Sequence, residues 1–395
     1  MSREKLVNNM KKNDLELIFL FNTPALETDI SKYRFDDLSK RCNKVIVCDL
    51  SPVLNADVNE IVTADRMKSE TIEVITFYNW NDIYRFVRNH RFSGFFFPMF
   101  DDFYEVRFIY YLFVFMGIRY GYVNNLNADV NDVSIPKIEN KKRSFSEIKR
   151  GVYNRWGRKF NLLNPAQIYF YSNNISKKHY FWRGNCSDRK TKKVGVHSYD
   201  YDRFLSTEPY EMKDYAVYLD VFFPYHPDLI ENKIVCDPEC YFTNMEEIFT
   251  ELEKKEGCKV LVAAHPRANY NDKKYGFRKD RIIYGNTVSL VKGASFLIGS
   301  WSTTNQMAVM ADKPLVIICD DQVWQNERLR GSCINQSSFF GSPLIRKKDQ
   351  IAELTLNYDK TLYEEIKAQY ICSDNTNAPN LWEEILVSLK NVICE

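Results

Sequence analysis

The sequence has no CxxC pair among its ten cysteines, which are scattered along the chain. Closely paired cysteines are typical of zinc sites and redox motifs, and dense cysteine frameworks are typical of small secreted domains. Cys236 and Cys240, with His226 nearby, match no standard zinc ligand set. We therefore expect reduced thiols, no bound metal and a cytoplasmic location.

Long apolar runs and an excess of charge are missing as well. The most apolar stretch, 103–123, contains Glu105, Arg107 and Arg119, whereas a membrane-spanning helix needs about twenty mostly apolar residues. The formal net charge is +2, so the chain lacks the basic footprint of a nucleic-acid-binding protein. We expect neither a transmembrane helix nor a nucleic-acid partner.

The chain does contain many short apolar runs separated by helix-length segments. Such alternation predicts Rossmann-like α/β domains with buried parallel strands. No GxGxxG motif follows any of these runs, so a dinucleotide site is not indicated. Strands are predicted at 15–21, 44–48, 73–77, 94–98, 215–220, 260–264, 296–299 and 315–319, and helices at 81–89, 245–256 and 381–392.

A length of 395 residues favours two domains. We predict an N-terminal domain at 1–200, a C-terminal domain at 210–375 and a terminal helix within 376–395, whose return to the first domain stays open. The polar stretch 187–208 is interpreted as the linker. A basic segment at 137–159 is either a solvated helix face or a surface for anionic lipid or glycan, which would place the protein at the inner face of the membrane.

Polar side chains stand where two strands of the second domain end, at the edge where open α/β sheets bind ligands. The first group follows strand 260–264, and the second precedes a predicted helix. Hydroxyl residues there are ordinary helix caps, but a helix N-terminus with several hydroxyls also suits phosphate. The predicted phosphate-binding residues are His265, Pro266, Arg267, Ser300, Ser302, Thr303 and Thr304, with Asn305 as a further cleft candidate.

His265-Pro266, followed one strand later by Ser300-Trp301-Ser302-Thr303-Thr304, resembles the paired motifs of bacterial GT-B glycosyltransferases. The most similar families use CMP-activated sugars: sialyltransferases, polysialyltransferases and the Kdo transferases of capsule and lipopolysaccharide synthesis. The resemblance implies two Rossmann-like domains facing a central cleft, with cytidine nucleotide held by the C-terminal domain. It also implies a nucleotide-sugar donor, a glycan or glycolipid acceptor, and no cofactor.

Such a transfer needs a carboxylate that acts as general base or nucleophile. Asp220 ends the first strand of the second domain, beside His226 and Asp228. Asp101 and Asp102 end a strand of the first domain, where bacterial sialyltransferases carry an acidic motif, although the glycine that commonly follows is missing here. We favour Asp220, and each of these carboxylates could instead be a cap or a solvated turn residue.

Alternatives of other kinds stay open. No DxD motif follows a predicted strand, and Asp320-Asp321 is expected to contact ribose or solvent, so the prediction is metal-independent catalysis. The donor could instead be a UDP-sugar, a GDP-sugar or CDP-glycerol, since similar motifs occur in teichoic-acid polymerases. A non-catalytic scaffold subunit of a polysaccharide assembly complex is the remaining alternative.

Overall fold

The computed structural model describes residues 15–55, 65–100, 106–124, 165–175, 190–226, 234–266, 268–372 and 381–394. These residues divide into two compact units. Unit 1 contains the described residues up to 202 together with 372 and 381–394, and unit 2 contains those from 203 to 371. The boundary falls inside a helix, between Asp202 and Arg203.

Thirteen strands occur in the described residues. They are β1 Glu16–Phe21, β2 Lys44–Asp49, β3 Glu73–Thr76, β4 Gly94–Pro98, β5 Gly121–Asn124, β6 Ile168–Tyr171, β7 Lys192–Gly195, β8 Tyr215–Leu219, β9 Lys259–Ala263, β10 Ile282–Ile283, β11 Leu297–Gly299, β12 Leu315–Ile318 and β13 Leu344–Ile345. The central strands are buried on both faces, as expected for apolar runs in a parallel sheet covered by helices.

Thirteen α-helices accompany them in the same part of the chain. They are α1 Glu27–Lys32, α2 Phe35–Ser39, α3 Ser51–Leu54, α4 Trp80–Asn89, α5 Arg107–Met116, α6 Tyr199–Ser206, α7 Pro238–Glu256, α8 Thr287–Gly293, α9 Gln306–Ala311, α10 Asp321–Gln325, α11 Glu327–Phe340, α12 Lys360–Ile366 and α13 Leu381–Cys394. Single 3₁₀ turns cover Thr303–Asn305 and Lys348–Ile351, and a π turn covers Lys367–Ile371.

In unit 1 all strand pairs are parallel, with the orders β3-β2-β1-β4 and β5-β6-β7. A parallel bridge between Phe96 and Tyr120 joins the two groups. Two apolar layers cover the sheet. One includes Ile83 and Val87 of α4 and Ile109 and Phe113 of α5, and the other includes residues of α2 and α13.

The last helix, α13, completes the core of unit 1. Trp382 is fully buried and meets the ring of Phe19 edge-on, with ring centroids 5.8 Å apart. Its indole N–H donates to the backbone oxygen of Tyr33 at 3.0 Å. Truncating a buried aromatic side chain costs about 3–5 kcal/mol in the free energy of unfolding. The packing of Trp382 therefore holds α13 in the core of unit 1.

Unit 2 has one parallel sheet in the order β10-β9-β8-β11-β12-β13. Numbered from β8, that order is 3-2-1-4-5-6, the doubly wound Rossmann arrangement. Its longest helix, α7, is preceded by Asp237, whose carboxylate accepts from the N–H of Glu239 at 3.0 Å, and is followed by Gly257 with φ of 67°. A capping carboxylate and a left-handed glycine are ordinary helix boundaries.

The boundary between the two units, after Asp202, falls inside the predicted linker 187–208. The described part of this stretch is nevertheless folded, because it contains β7 and α6. Lys192 and Lys193 are exposed on β7, which lies at the edge of its sheet, where charged side chains are common. The buried Asp202 of α6 pairs with Arg34 at 2.6 Å. The segment therefore looked like a polar linker because its strand is an edge strand and its helix carries charges.

Two further predictions concern the basic segment and the lack of a membrane-spanning helix. The basic segment 137–159 lies outside the described residues, so its interpretation stays a prediction. The described helices include none that is long and apolar enough to cross a membrane.

Candidate functional site

The strand order of unit 2 reverses direction between β8 and β11. From β8 the chain proceeds to β9 and β10 on one side, and it then crosses to β11 and β12 on the other. In open α/β sheets this switch point leaves a crevice at the carboxyl ends of the strands, where ligands bind. The crevice is flanked by the segments 220–226 and 300–305, and His265 follows the neighbouring strand β9. We call the segments 220–226 and 300–305 together with His265 the carboxyl-edge site.

Asp220 connects the loops of this site. Its Oδ1 accepts a hydrogen bond from the backbone N–H of Phe222 at 2.8 Å. Its Oδ2 accepts from the backbone N–H of His265 at 3.0 Å and from the Tyr270 hydroxyl at 2.9 Å. Asp220 is only 5% exposed. Both of its carboxylate oxygens are thus engaged by protein groups from two adjacent strand ends.

Burial raises the pKa of Asp220 to about 6, although hydrogen bonds from His265, Phe222 and Tyr270 act in the opposite direction. Desolvation disfavours the charged carboxylate, and the donors stabilise it. The same contact raises the pKa of Tyr270, chiefly through burial and then through the negative charge of Asp220. The pair behaves as a carboxylate that accepts from a neutral phenol.

The segment after Asp220 carries backbone strain. Phe222 has φ of 53°, the left-handed region that bulky residues rarely adopt. Its ring lies parallel to the His265 imidazole, with centroids 6.4 Å apart. The His226 and His265 rings meet edge-on at 5.2 Å between centroids. The turn after Asp220 thus lies beside His265, and the His226 and His265 imidazoles contact each other at the end of the sheet.

The segment after β11 meets the segment after β8 through aromatic contact. The Trp301 and Phe223 rings are 5.2 Å apart and nearly perpendicular. Ser302 caps the 3₁₀ turn Thr303–Asn305, since its Oγ accepts from the Thr304 N–H at 3.2 Å. The Ser302 and Thr304 hydroxyls are 2.7 Å apart. A helical segment begins here as predicted, although its first turn is 3₁₀ and α9 starts at Gln306.

Two of the predicted ligand-binding residues face the protein interior instead. Asn305 is fully buried and donates to the backbone oxygen of Ser300 at 2.7 Å and to the Gln336 side chain. Ser300 is 3% exposed, and its Oγ lies 3.6 Å from the Cys333 sulfur. These contacts make Ser300 and Asn305 structural supports of the turn and leave Ser302, Thr303 and Thr304 at its surface.

The interpretation of Asp320 as a ribose or solvent contact needs correction, whereas a solvent contact for Asp321 agrees with the structure. Asp320 is fully buried, and its carboxylate caps α10 by accepting from Gln322 N–H at 3.2 Å and Val323 N–H at 3.1 Å. Asp321 pairs with Arg346 at 2.7 Å, and its side chain is 36% exposed and so also contacts solvent. Only Asp320 is fully occupied by groups of the protein.

Four predicted residues lie outside the described part of the chain: Asp101, Asp102, Asp228 and Arg267. Their roles stay predictions. Pro266 is described and exposed next to His265. Within the described residues, no three His, Cys, Asp or Glu side chains form a group that could hold a metal ion. Metal independence likewise stays a prediction.

Comparison with known proteins identifies the fold. The chain matches solved structures of the wall teichoic acid polymerase TagF at 12% identity and a TM-score of 0.51, covering 98% of this chain and 89% of that one. A structure of TagF soaked with CDPG matches at 10% identity and a TM-score of 0.53, covering 99% and 92%. The fold is GT-B-like.

This confirms the predicted fold class, α/β with two Rossmann-like units. The UDP-GlcNAc 2-epimerase of Methanocaldococcus jannaschii, also similar, has a TM-score of only 0.46 at 12% identity, covering 95% of this chain and 99% of that one, and no argument here depends on it. No protein-family model matches the sequence, and no curated protein matches it significantly. At these identities the GT-B-like fold is shown and the activity is not.

Three residues of the GT-B-like unit 2 were missed by the sequence interpretation: Phe222, Tyr270 and Trp301. The left-handed backbone of Phe222 and the contact of Trp301 with Phe223 are visible only in the structure. Tyr270 lies 50 residues after Asp220 in a polar stretch. No motif or spacing in the sequence indicates that these two side chains meet.

Proposed function

We propose that this protein is a transferase that takes a group from a nucleotide-activated donor and passes it to an acceptor in bacterial surface-polymer synthesis. The observation that supports this most is that the 220–226, His265 and 300–305 segments follow three neighbouring strands of unit 2, where His226 meets His265 and Trp301 meets Phe223. The likeness in fold to TagF, a wall teichoic acid polymerase, agrees with it.

We propose that the donor phosphate binds between the Ser302–Thr304 turn and the His265 imidazole. The hydroxyls of this turn are donors that suit phosphate oxygens, and they stand at the start of a helical segment, although the Thr304 N–H already donates to the Ser302 hydroxyl. Arg267 and Pro266 would complete this site as predicted from the sequence. The Arg267 guanidinium would donate two parallel hydrogen bonds to one phosphate.

We propose a cytidine nucleotide as the activating group. The HP and Ser/Thr motifs support a CMP-activated nonulosonate or Kdo, whereas the fold likeness to TagF soaked with CDPG supports a CDP-linked donor such as CDP-glycerol. In a CMP-sugar the acceptor oxygen attacks the anomeric carbon and CMP departs. In a CDP-linked donor it attacks the outer phosphorus and CMP departs as well. The shared chemistry is a CMP leaving group.

The acceptor hydroxyl loses its proton during either attack. Because both Asp220 oxygens already accept from protein groups, we propose that Asp220 positions the His265 loop. An imidazole of His226 or His265 then accepts the proton. Asp220 itself, Asp101 and Asp102 are the alternative bases that the sequence suggests.

The first experiment is a thermal-shift comparison of CMP, CDP, UMP, UDP and GDP on the purified protein. A ligand that binds only the folded state raises the melting temperature. Stabilisation by CMP and CDP that is lost in His265→Ala but kept in His90→Ala, a histidine of unit 1, is the expected result. Stabilisation by UDP or GDP alone would mean that the donor carries uridine or guanosine in place of cytidine.

Turnover is tested next by following CMP release from CMP-Kdo, a CMP-nonulosonate and CDP-glycerol in the presence of glycan acceptors. Release from one donor class identifies the reaction. Nucleotide binding without release from any of these donors would favour the scaffold alternative.

A further inference from the structure

Helices α4 and α5 of unit 1 lie on the same side of its sheet. Ile83 and Val87 of α4 and Ile109 and Phe113 of α5 all belong to one buried apolar layer. At the ends of the two helices, the Trp80 and Phe108 rings are 5.8 Å apart. The two helices therefore share one outward-facing surface.

That surface is unusually rich in exposed aromatic side chains. Trp80 and Tyr84 are one turn apart on α4, and Phe108, Tyr111 and Phe115 follow helical spacing on α5, so each helix presents an outward stripe. Phe92, just after α4, is 52% exposed, and Phe115 is 80% exposed. We call these six residues the aromatic face. Single exposed apolar residues are ordinary, whereas contiguous patches mark interaction sites.

Arginines surround the aromatic face. The segments 78–92 and 106–119 contain five arginines and one carboxylate, Asp82. The arginines are Arg85, Arg88, Arg91, Arg107 and Arg119. Asp82 lies 3.7 Å from Arg85 and offsets one of the five positive charges. Five arginines less one carboxylate give these two segments a formal net charge of +4.

Some of these arginines also contact the aromatic rings. The guanidinium of Arg91 lies 4.1 Å from the Phe92 ring centroid, and that of Arg107 lies 4.4 Å from the Phe108 ring centroid. Arg119 donates to the backbone oxygen of Phe92 at 2.6 Å. Rings and cations therefore occur as neighbouring pairs, an arrangement that presents apolar area and positive charge to the same partner.

We propose that the aromatic face docks on a bilayer containing anionic phospholipid. Trp, Tyr and Phe insert at the level of the headgroups, and arginines attract the lipid phosphates. The positive charges are spread over the surface of two helices. A bilayer suits this arrangement because its anionic lipids can move to each arginine, whereas a protein partner would need fixed carboxylates opposite each one. The occupant is a lipid surface.

This surface differs from the basic segment 137–159, where membrane contact was predicted from the sequence. The aromatic face carries apolar side chains that can insert, so binding at this surface should depend on its aromatic residues as well as on charge. The inference is independent of the proposed function, because vesicle binding is measured without any nucleotide or donor.

The test is flotation of the full chain with vesicles of phosphatidylcholine mixed with phosphatidylglycerol, compared with phosphatidylcholine alone. We expect binding to the anionic vesicles and a fall with added salt. The Phe108→Ala/Phe115→Ala variant should lose roughly ten-fold or more in partition coefficient, because about two exposed rings no longer insert. Arg88→Gln should lose about five-fold.

Matched controls come from α13, which packs on the opposite face of the sheet. Val387 is 55% exposed there, and Lys390 is exposed as well. Val387→Ala and Lys390→Gln should float like the unmodified protein. Phe115→Ala alone serves if the double variant fails to fold, as judged by its melting curve.

Absence of binding to anionic vesicles by the unmodified protein would overturn the proposal, and a protein partner would then be the occupant to seek. Binding that persists in Phe108→Ala/Phe115→Ala and in Arg88→Gln would overturn it too, because another part of the chain would then contact the lipid. A further check uses brominated lipid, which should quench the unmodified protein more than Trp80→Phe.

Discussion

The carboxylate of Asp220 accepts a hydrogen bond from the backbone N–H of His265 at 3.0 Å, across two adjacent strands of unit 2. This contact fixes where the His265 loop leaves the sheet, and the Phe222 ring lies parallel to the His265 imidazole. A buried carboxylate with both oxygens engaged positions other groups, and the first prediction separates that role from catalysis.

Asp220→Asn should lower both stability and nucleotide affinity. An amide nitrogen would replace one acceptor oxygen and face a backbone N–H of Phe222 or His265, so we expect a loss of about 1–3 kcal/mol in the free energy of unfolding. Chemical denaturation and nucleotide titration measure the two effects. Asp49→Asn is the control, since Asp49 ends β2 and accepts from the Ser51 N–H at 2.9 Å.

The control variant should lose stability without losing nucleotide affinity. If Asp220→Asn instead kept its stability and its nucleotide affinity but lost turnover, Asp220 would be the general base and the positioning role would be wrong.

The raised pKa of Asp220, about 6, makes stability depend on pH. The folded state binds this proton more tightly than the unfolded state, whose aspartate has a pKa near 3.9. The contribution of Asp220 is therefore fully present below about pH 4 and is lost as pH rises through about 6. Tyr270→Phe removes a hydrogen bond to the charged carboxylate of Asp220. In this variant the loss of stability with rising pH should therefore extend to higher pH.

Urea denaturation of Tyr270→Phe and the unmodified protein at pH 5 and pH 8 checks this sign. The variant should be more destabilised at pH 8 than at pH 5. Equal destabilisation at both values would mean that the phenol contributes packing and no charge-dependent hydrogen bond.

Gly299→Ala should disrupt the turn that carries Ser302. A Cβ at Gly299 would overlap the Asn305 amide oxygen, and Asn305 would then lose its hydrogen bond to Ser300. We expect a stability loss of about 1–3 kcal/mol together with weaker nucleotide binding. Gly331→Ala in α11 is the control, because nothing lies within 4 Å of its added Cβ and alanine favours a helix.

Thermal melts and nucleotide titrations compare the two glycine variants. A Gly299→Ala protein with unchanged binding would show that the Ser302–Thr304 turn is not part of the nucleotide site.

Arg281→Ala should destabilise unit 2 strongly. Arg281 is fully buried, pairs with Glu246 at 3.0 Å and with Glu253, and donates to the backbone oxygen of Val260 at 2.8 Å. Removing one partner of a buried ion pair costs about 3–5 kcal/mol. Arg278→Ala, which breaks an exposed pair with Asp280, should cost less than about 1 kcal/mol. Similar losses in both variants, measured by denaturation, would contradict this ranking.

Most of the elements that build the two sheets could be predicted from the sequence. Short continuous apolar runs such as 44–48 and 315–319, bounded by polar or turn residues, are typical of strands buried on both faces, so the pattern indicates a parallel sheet. Gly117 with φ of 65° and Gly257 with φ of 67° end helices where a left-handed residue is needed. These features are local, and the sequence carries them directly.

The edge elements and the site could not be predicted as well. β7 and α6 carry enough charge to resemble a linker, because one lies at a sheet edge and only part of the other is buried. The His265-Pro266 and Ser/Thr motifs indicated the correct edge of the sheet. The sequence did not show that Ser300 and Asn305 point inward or that Tyr270 reaches Asp220, since those depend on packing between distant segments.

The sequence alone therefore determined the alternating α/β pattern and the strand ends that carry polar side chains, because hydrophobic periodicity and turn residues act over a few positions. Only the tertiary structure decided the strand order, the switch point between β8 and β11, and the engagement of both Asp220 oxygens. Those depend on which strands become neighbours, and burial then decides which polar groups find protein partners and which stay at the surface for a ligand.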